Sequence, residues 1–161
     1  MKDYFVCKVN YERINEKGIF KTVSESYLVE AASHAEAENC IIDKMKLYTE
    51  CAVMVKSVIK QKIADLFGHE TEHDFWYRVK INFISLNEST GAEKRVPQTF
   101  LVKADNVRGA ISGVENGLHD TVSDYEITAV IESPILEVFL FDQNFDSGAF
   151  YDNDKEESTE E

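Results

Sequence analysis

The sequence predicts an α+β fold in which one ββαβ unit occurs twice along a chain of 161 residues. The chain matches itself at an offset of 72 or 73 residues, and apolar residues alternate with polar ones at matching places in both halves. Each half also contains one stretch with helical spacing behind a helix start signal. We expect antiparallel sheets, each with one packed helix, related by a pseudo-twofold axis. The predicted single domain covers residues 1–141, with repeats at 4–67 and 75–140 joined by a linker at 68–74.

The internal match includes strand, turn and helix positions. The identical pairs include Lys8 and Lys80, Asn10 and Asn82, Asn15 and Asn87, Gly18 and Gly91, Lys21 and Lys94, Ala37 and Ala110, and Phe67 and Phe139. The offset changes in the hairpin and after the helix, where surface connections tolerate insertions. A unit of about 65–70 residues buries little surface alone. We therefore expect the two halves to share one core, as in a homodimer fused into a single chain.

The first two elements of each half are predicted as a β-hairpin. Residues 4–14 and 75–86 alternate with a period of two, which indicates strands. Turn residues ending in Gly18 and Gly91 follow. The second strands are then expected at about 19–31 and 93–104. Pro97 lacks an amide donor, so its position favours a sheet edge or a bulge.

The last element of each half is predicted as a long strand, at 52–66 and 125–140. Both stretches are rich in valine and isoleucine and are apolar on both faces at their centres. This pattern is typical of central strands, here bent or split. Pro134 marks such a bend in the second copy.

One helix is expected in each half. In the first, Ser33 and Glu36 form a capping box. Its predicted buried stripe is Ala37, Cys40, Ile41, Met45 and Leu47. The second helix is expected to begin near Asp105 or Asn106. Its predicted inward residues are Val107, Ala110, Ile111, Val114 and Leu118.

Three glycines, Gly109, Gly113 and Gly117, line one side of the second helix. Glycine in a helix costs about 1 kcal/mol relative to alanine. Their spacing of four favours close backbone packing, with a ligand approaching this stripe as the alternative.

Composition and charge limit the class of protein. The 30 acidic and 17 basic residues give a net charge of −13, which repels free nucleic acid and anionic membranes at long range without excluding a local basic patch. No apolar run approaches the roughly 20 residues that span a bilayer, and the N-terminus lacks a signal-peptide core.

Cys7, Cys40 and Cys51 form no CxxC pair. We expect reduced thiols in a soluble protein of the cytoplasm that needs no cofactor.

Residues 142–161 are predicted to form a disordered acidic tail. They hold eight carboxylates and one lysine, which leaves a net charge of −6 for residues 1–141. Only Phe145, Phe150 and Tyr151 offer apolar surface for docking.

Three segments carry a resemblance to a known family: Lys80–Lys94, Tyr27–Glu38 and Asp124–Phe139. They resemble the family called domain of unknown function 4494, and the similarity covers nearly the whole chain except the tail. That family occurs in Bacteroidota, their phages and mobile elements. The resemblance implies a small phage or mobile-element protein of the bacterial cytoplasm, and it brings no catalytic residue to this chain.

The sharpest catalytic motif is His69-Glu70-Thr71-Glu72-His73, a literal HExxH. On a helix this spacing places two imidazoles on one face to bind zinc, with the glutamate as general base. Here the motif lies between two repeats and has no apolar stripe. We interpret it as a polar linker, with a metal site at His69 and His73 and a zinc hydrolase as remote alternatives.

The outward face of the two first strands is the strongest candidate binding surface. It carries an aromatic ring, cations and amides, through Tyr4, Lys8 and Asn10 in one copy and Trp76, Arg78, Lys80 and Asn82 in the other. This combination is typical of a stacking platform for single-stranded nucleic acid. Alternatively, these residues form the rim of a solvated sheet or the seam between repeats. Lys56, Lys60 and Lys62 form a further basic row that the second copy lacks.

The sequence therefore predicts a non-enzymatic binding protein, and single-stranded nucleic acid is the leading partner. The acidic body counts against this partner, because phosphate neutralisation dominates such binding. The alternative is an acidic adaptor or inhibitor that binds a host or phage protein. Exposed sheet edges also allow pairing between copies as a homo-oligomer.

Overall fold

The computed structural model describes residues 2–140, and the predicted acidic tail at 142–161 lies outside them. The described residues form eight strands and two helices. In chain order they are β1 Asp3–Ile14, β2 Phe20–Ala31, α1 His34–Met45, β3 Met54–Gln61, β4 Asp65–Phe67, β5 Phe75–Leu86, β6 Glu93–Ala104, α2 Val107–Gly117, β7 Asp124–Ser133 and β8 Ile135–Phe139. The α+β class is confirmed.

The strands form two four-stranded sheets whose elements follow the same order. The first sheet is ordered β3-β1-β2-β8, and the second, read in the same sense, is β7-β5-β6-β4. The short fourth strand of each sheet comes from the other half of the sequence. Strand β4 pairs in parallel with β6 through residues 65–67 and 100–102, and β8 lies beside β2.

The long last element of each repeat is split, as predicted, but its central position is wrong. Strands β3 and β7 stand at the ends of the sheet orders, and β1 and β5 occupy inner places. Local apolarity was misleading, because Val55 and Val58 pack against the core whereas Met54 and Ile59 remain exposed. A strand that is apolar on both faces is therefore not always central.

Both predicted hairpins are present in full. Strands β1 and β2 pair antiparallel from Asp3 with Ala31 to Ile14 with Phe20. Strands β5 and β6 pair in the same way. Gly18 and Gly91 adopt φ values of 76° and 71° in the turns, which explains the glycine at each position.

Pro97 lies where its missing amide costs nothing. It pairs with Asn82 of β5, and the ladder with β4 covers only residues 100–102 of β6. This stretch of β6 therefore has a free edge within the described ladders, as the proline predicts.

Local signals place the two helices correctly. Ser33 caps α1 and accepts a hydrogen bond from the Glu36 amide, while Asn106 caps α2 and accepts one from the Gly109 amide. The predicted inward residues are mostly buried, with two corrections. Leu47 lies beyond the end of α1 and is 78% exposed, and Val107 at the first position of α2 is 47% exposed.

Each sheet packs one helix against one face and so builds a core. The first unit contains the described residues before Gln61 and after Leu136, and the second unit is Gln61–Leu136. The first core includes Phe5, Cys7, Val9, Tyr27, Val29, Ala37, Ile41, Met45 and Phe139. The second includes Tyr77, Val79, Ile81, Phe100, Val102, Ala110 and Val114, with Phe67 packed against them.

The fourth strand of each sheet contributes an aromatic ring to its core. Phe67 of β4 stacks on Phe100 of β6 with 5.5 Å between ring centroids. Phe139 of β8 stacks on Tyr27 of β2 at 5.7 Å. The short strands are therefore held by ring packing as well as by backbone pairing.

The glycine stripe of α2 admits this packing. A Cβ atom at Gly117 would lie 2.6 Å from the Phe67 ring, and one at Gly113 would lie 2.8 Å from a Val102 methyl. Both distances are far below ordinary contact, so the helix approaches the sheet only without these side chains. The predicted close packing is confirmed, and no ligand is needed to explain the stripe.

Gly117→Ala should destabilise the protein although alanine is the better helix former. The new methyl must displace Phe67, at a cost of about 1–3 kcal/mol, which equals or exceeds the gain of about 1 kcal/mol in helix propensity. Urea unfolding followed by circular dichroism measures the difference. Gly109→Ala is the matched control, since its nearest contact is 3.4 Å away, and it should be neutral or stabilising. A Gly117→Ala protein more stable than the wild type would contradict this packing.

Candidate functional site

The predicted binding residues lie on the face of each first strand that points away from the packed helix. Lys8 and Lys80 are exposed, whereas Tyr4, Asn10, Arg78 and Asn82 are half-buried. Arg78, Lys80 and Asn82 share one face of β5 in the second unit, and Tyr4, Lys8 and Asn10 share the corresponding face of β1 in the first.

Trp76 does not offer the predicted exposed stacking surface. Its side chain is only 1% exposed, and its indole Nε1 is buried with no hydrogen-bond partner among the described residues. The Lys103 ammonium lies 5.9 Å from the centroid of the ring. Alternation placed Trp76 on the outward face correctly. It could not reveal that this end of the face is enclosed, and Leu101, opposite Arg78, is buried as well.

A groove of about 630 Å³ lies on the same face of the second sheet, at the level of Lys80 and Asn82. Residues 62–64 form one wall as the chain approaches β4. The lining residues are Lys62, Ile63, Ala64, Lys80, Asn82, Val96, Pro97, Gln98, Thr99 and Thr128.

Two hydrogen bonds fix the walls of this groove. The Ala64 amide donates to the Thr99 carbonyl over 2.7 Å, which fastens the 62–64 segment beside β6. On the other side, the Thr128 hydroxyl donates to the Lys80 carbonyl over 3.2 Å. The groove is thus built on paired backbone.

The groove is locally basic in an acidic unit. Residues 61–136 contain 12 acidic and seven basic side chains, yet the lining has Lys62 and Lys80 and no carboxylate. Near this face, Arg95 forms an ion pair with Glu126, which neutralises that carboxylate. The remaining polar lining groups are two amides and two hydroxyls, so the groove can bind an anion and hydrogen-bond its neighbouring groups.

The sequence identified Lys80 and Asn82 but not the rest of this groove. Thr99 and Thr128 were missed because they become neighbours of Lys80 only through strand pairing. The sequence indicates Lys62 only as part of a basic row. In the structure that row separates, since Lys60 forms an ion pair with Asp3 at 3.2 Å whereas Lys62 lines the groove.

The HExxH segment is not helical. A turn follows Gly68, which adopts a φ of 77°, and the chain then extends into β5. His73 Nδ1 lies 3.0 Å from the Asp105 carboxylate, and the His69 ring centroid lies 6.2 Å from that of Trp76. The helical face that would present both imidazoles to one zinc ion is therefore not formed. Within residues 2–140, no group of three His, Cys, Asp or Glu side chains is placed to hold a metal.

The cysteines differ in burial and therefore in reactivity. Burial raises the pKa of the Cys7 thiol to about 12 and that of the Cys40 thiol to about 11. Cys51 is exposed. Because the thiolate is the nucleophile, Cys7 and Cys40 are inert at neutral pH.

The fold and groove define a small α+β protein of two sheet-and-helix units with a polar groove on one sheet. The chain belongs to the family of the domain of unknown function DUF4494, which matches residues 3–141. This match confirms the resemblance seen in the sequence. No curated protein and no solved structure matches the chain. Neither helix in the described part is long and apolar enough to cross a membrane.

Native protein treated with a thiol reagent near neutral pH should be modified first at Cys51. Cys7 should react only after unfolding, because its raised pKa leaves almost no thiolate and its side chain is buried. Peptide mapping after timed alkylation measures each rate, and Cys51→Ser should remove the fast phase. Equal rates at Cys7 and Cys51 would show that the first core is open.

Proposed function

We propose that this chain is a non-enzymatic binding protein that holds single-stranded nucleic acid in the groove of its second unit. The observation that carries the proposal is a groove with two lysines and no carboxylate, in a chain with a net charge of −13.

The chemistry of the lining suits a polynucleotide. The Lys62 and Lys80 ammonium groups bind phosphates as point charges. The Asn82 and Gln98 amides and the Thr99 hydroxyl supply donors and acceptors for sugars and base edges. Since none of the lining residues is a carboxylate, histidine or cysteine, the groove supplies binding groups and no obvious acid–base or nucleophilic catalyst.

Binding should depend on phosphate contacts more than on stacking. Trp76 is buried, and the groove lining contains no aromatic side chain. Affinity should therefore be modest, weakly dependent on sequence and strongly dependent on salt. The acidic remainder of the chain opposes binding at long range.

An acidic adaptor or inhibitor of a host or phage protein is the second candidate. It is favoured by the tip of the first hairpin, where Ile14, Ile19 and Phe20 are all more than half exposed. Neighbouring exposed apolar residues of this kind are typical of protein contacts. The family resemblance supports a phage or mobile-element protein of the bacterial cytoplasm for either role.

We also propose that the two units arose by duplication of one ββαβ segment. The equivalent sheet orders support this origin, as do the exchanged fourth strands. The equivalent rings Phe67 and Phe139, each stacked on a second strand, support it further.

Fluorescence anisotropy with labelled oligothymidylate at low salt tests the proposed function. Lys80→Glu should weaken binding by about tenfold and lower the salt dependence of the association constant, because one phosphate contact is lost. Lys94→Glu is the matched control, since it makes the same charge change on the opposite face of the same sheet. The Lys94→Glu variant should bind the oligonucleotide with an affinity within about twofold of the wild type.

Absence of wild-type binding at low salt would rule out the proposal. Equal weakening by the two variants would show a response to net charge alone. Retention of a basic peptide instead of the oligonucleotide would favour the acidic adaptor.

A further inference from the structure

We propose that the first unit contains a second binding site of the same chemical class, formed by Lys8, Asn10 and Ser26. This inference rests on the proposed function, and it predicts that each chain binds two short single strands. Nothing in the groove of the second unit requires a second site, so the two proposals can fail separately.

Strand register places the same three functional groups together in each unit. Lys8 of β1 stands opposite Ser26 of β2, and Asn10 follows two residues along the same face. In the second unit Lys80 stands opposite Thr99, and Asn82 follows at the same spacing. Each site therefore presents an ammonium, a hydroxyl and an amide from neighbouring positions on one face.

Asn10 is poorly explained by a structural role. Its Oδ1 atom is buried and has no hydrogen-bond partner among the described residues. A buried acceptor without a partner is unfavourable, so an apolar residue would stabilise this position better. The same amide nevertheless occurs at Asn82, beside the equivalent lysine. An amide kept beside a lysine at a stability cost is typical of a binding position.

An identical residue at matching positions of the two halves is not by itself evidence for a binding site. Lys21 and Lys94 are also an identical pair. Strand register, however, places Lys21 on the hairpin face opposite to that of Lys8, and Lys94 on the face opposite to that of Lys80. On the faces of Lys8 and Lys80, an amide follows the lysine two residues along the same strand and a hydroxyl stands opposite the lysine. Lys21 therefore provides a matched control for Lys8.

The two sites should differ in affinity. The groove of the second unit has no lining carboxylate. On the face of Lys8, by contrast, Glu12 lies two residues beyond Asn10, and Glu30 lies opposite Tyr4. These carboxylates reduce the local positive potential, so the first unit should bind the weaker of the two strands.

Isothermal titration with an oligothymidylate of about four nucleotides, the short end of single-strand site sizes, tests the inference. The full wild-type chain should bind two molecules at low salt. Lys8→Glu should leave one molecule bound at the tighter affinity, and Lys80→Glu should leave one at the weaker affinity. Lys21→Glu should retain both. Far-UV circular dichroism and thermal melting confirm that each variant is folded.

Asn10→Leu provides a second readout that a structural role would not produce. It should raise the melting temperature and weaken binding in the first unit. A lower melting temperature with unchanged binding would assign Asn10 to structure and overturn its place in the site.

The outcomes separate the two proposals. One molecule bound per wild-type chain, lost in Lys80→Glu and unchanged in Lys8→Glu, would overturn the second site and support the groove. Two molecules bound with wild-type affinities in every variant would overturn both assignments. No binding by the wild type would overturn the proposed function itself.

Discussion

Each sheet takes its short fourth strand from the other half of the sequence, and the rest of the structure depends on this exchange of strands. Strand β4 must reach β6 to complete the second sheet, and Phe67 must pack on Phe100 to seal the core beside it. To arrive there, residues 62–64 run alongside β6 and are fastened by the bond from the Ala64 amide to the Thr99 carbonyl. That passage is also one wall of the groove. The groove is therefore a by-product of the strand exchange.

The two units solve the packing of the exchanged ring in different ways. In the second unit, Gly117 leaves room for Phe67 directly against the helix. At the matching position of α1 the first unit has Lys44, whose ammonium lies 5.8 Å from the centroid of the Phe139 ring. Helix α2 has a glycine at this position, which lowers its helix propensity but leaves space for the ring. Helix α1 has a lysine there, which makes a favourable cation–π contact with the ring. Matching positions of the two helices therefore hold different residues where the ring packs.

Features set by neighbouring residues were predictable from the sequence, and features set by distant partners were not. The hairpins follow from the alternation, with Gly18 and Gly91 in the turns, and the helix starts follow from Ser33 and Asn106. These signals act within a few residues.

Strand order depends on contacts between residues far apart in the chain, and local patterns do not record it. For this reason β3 and β7 were wrongly predicted as central, and Trp76 was wrongly predicted as exposed. The sequence indicates only Lys80 and Asn82 of the groove, because the wall at residues 62–64 forms only when β4 joins the second sheet.

The net charge of −13 and the basic groove are compatible because electrostatic interactions in salt are short-ranged. At physiological ionic strength exposed charges are largely screened beyond about 8 Å. The charged groups that line the groove are those of Lys62 and Lys80, and carboxylates beyond the screening distance contribute little. Lowering the salt strengthens the lysine contacts, but it also extends the repulsion from the rest of the chain. Such a surface favours short, readily released contacts over tight coating of long polyanions. For the proposed binding of single strands, such behaviour would suit an accessory protein better than one that protects a strand along its length.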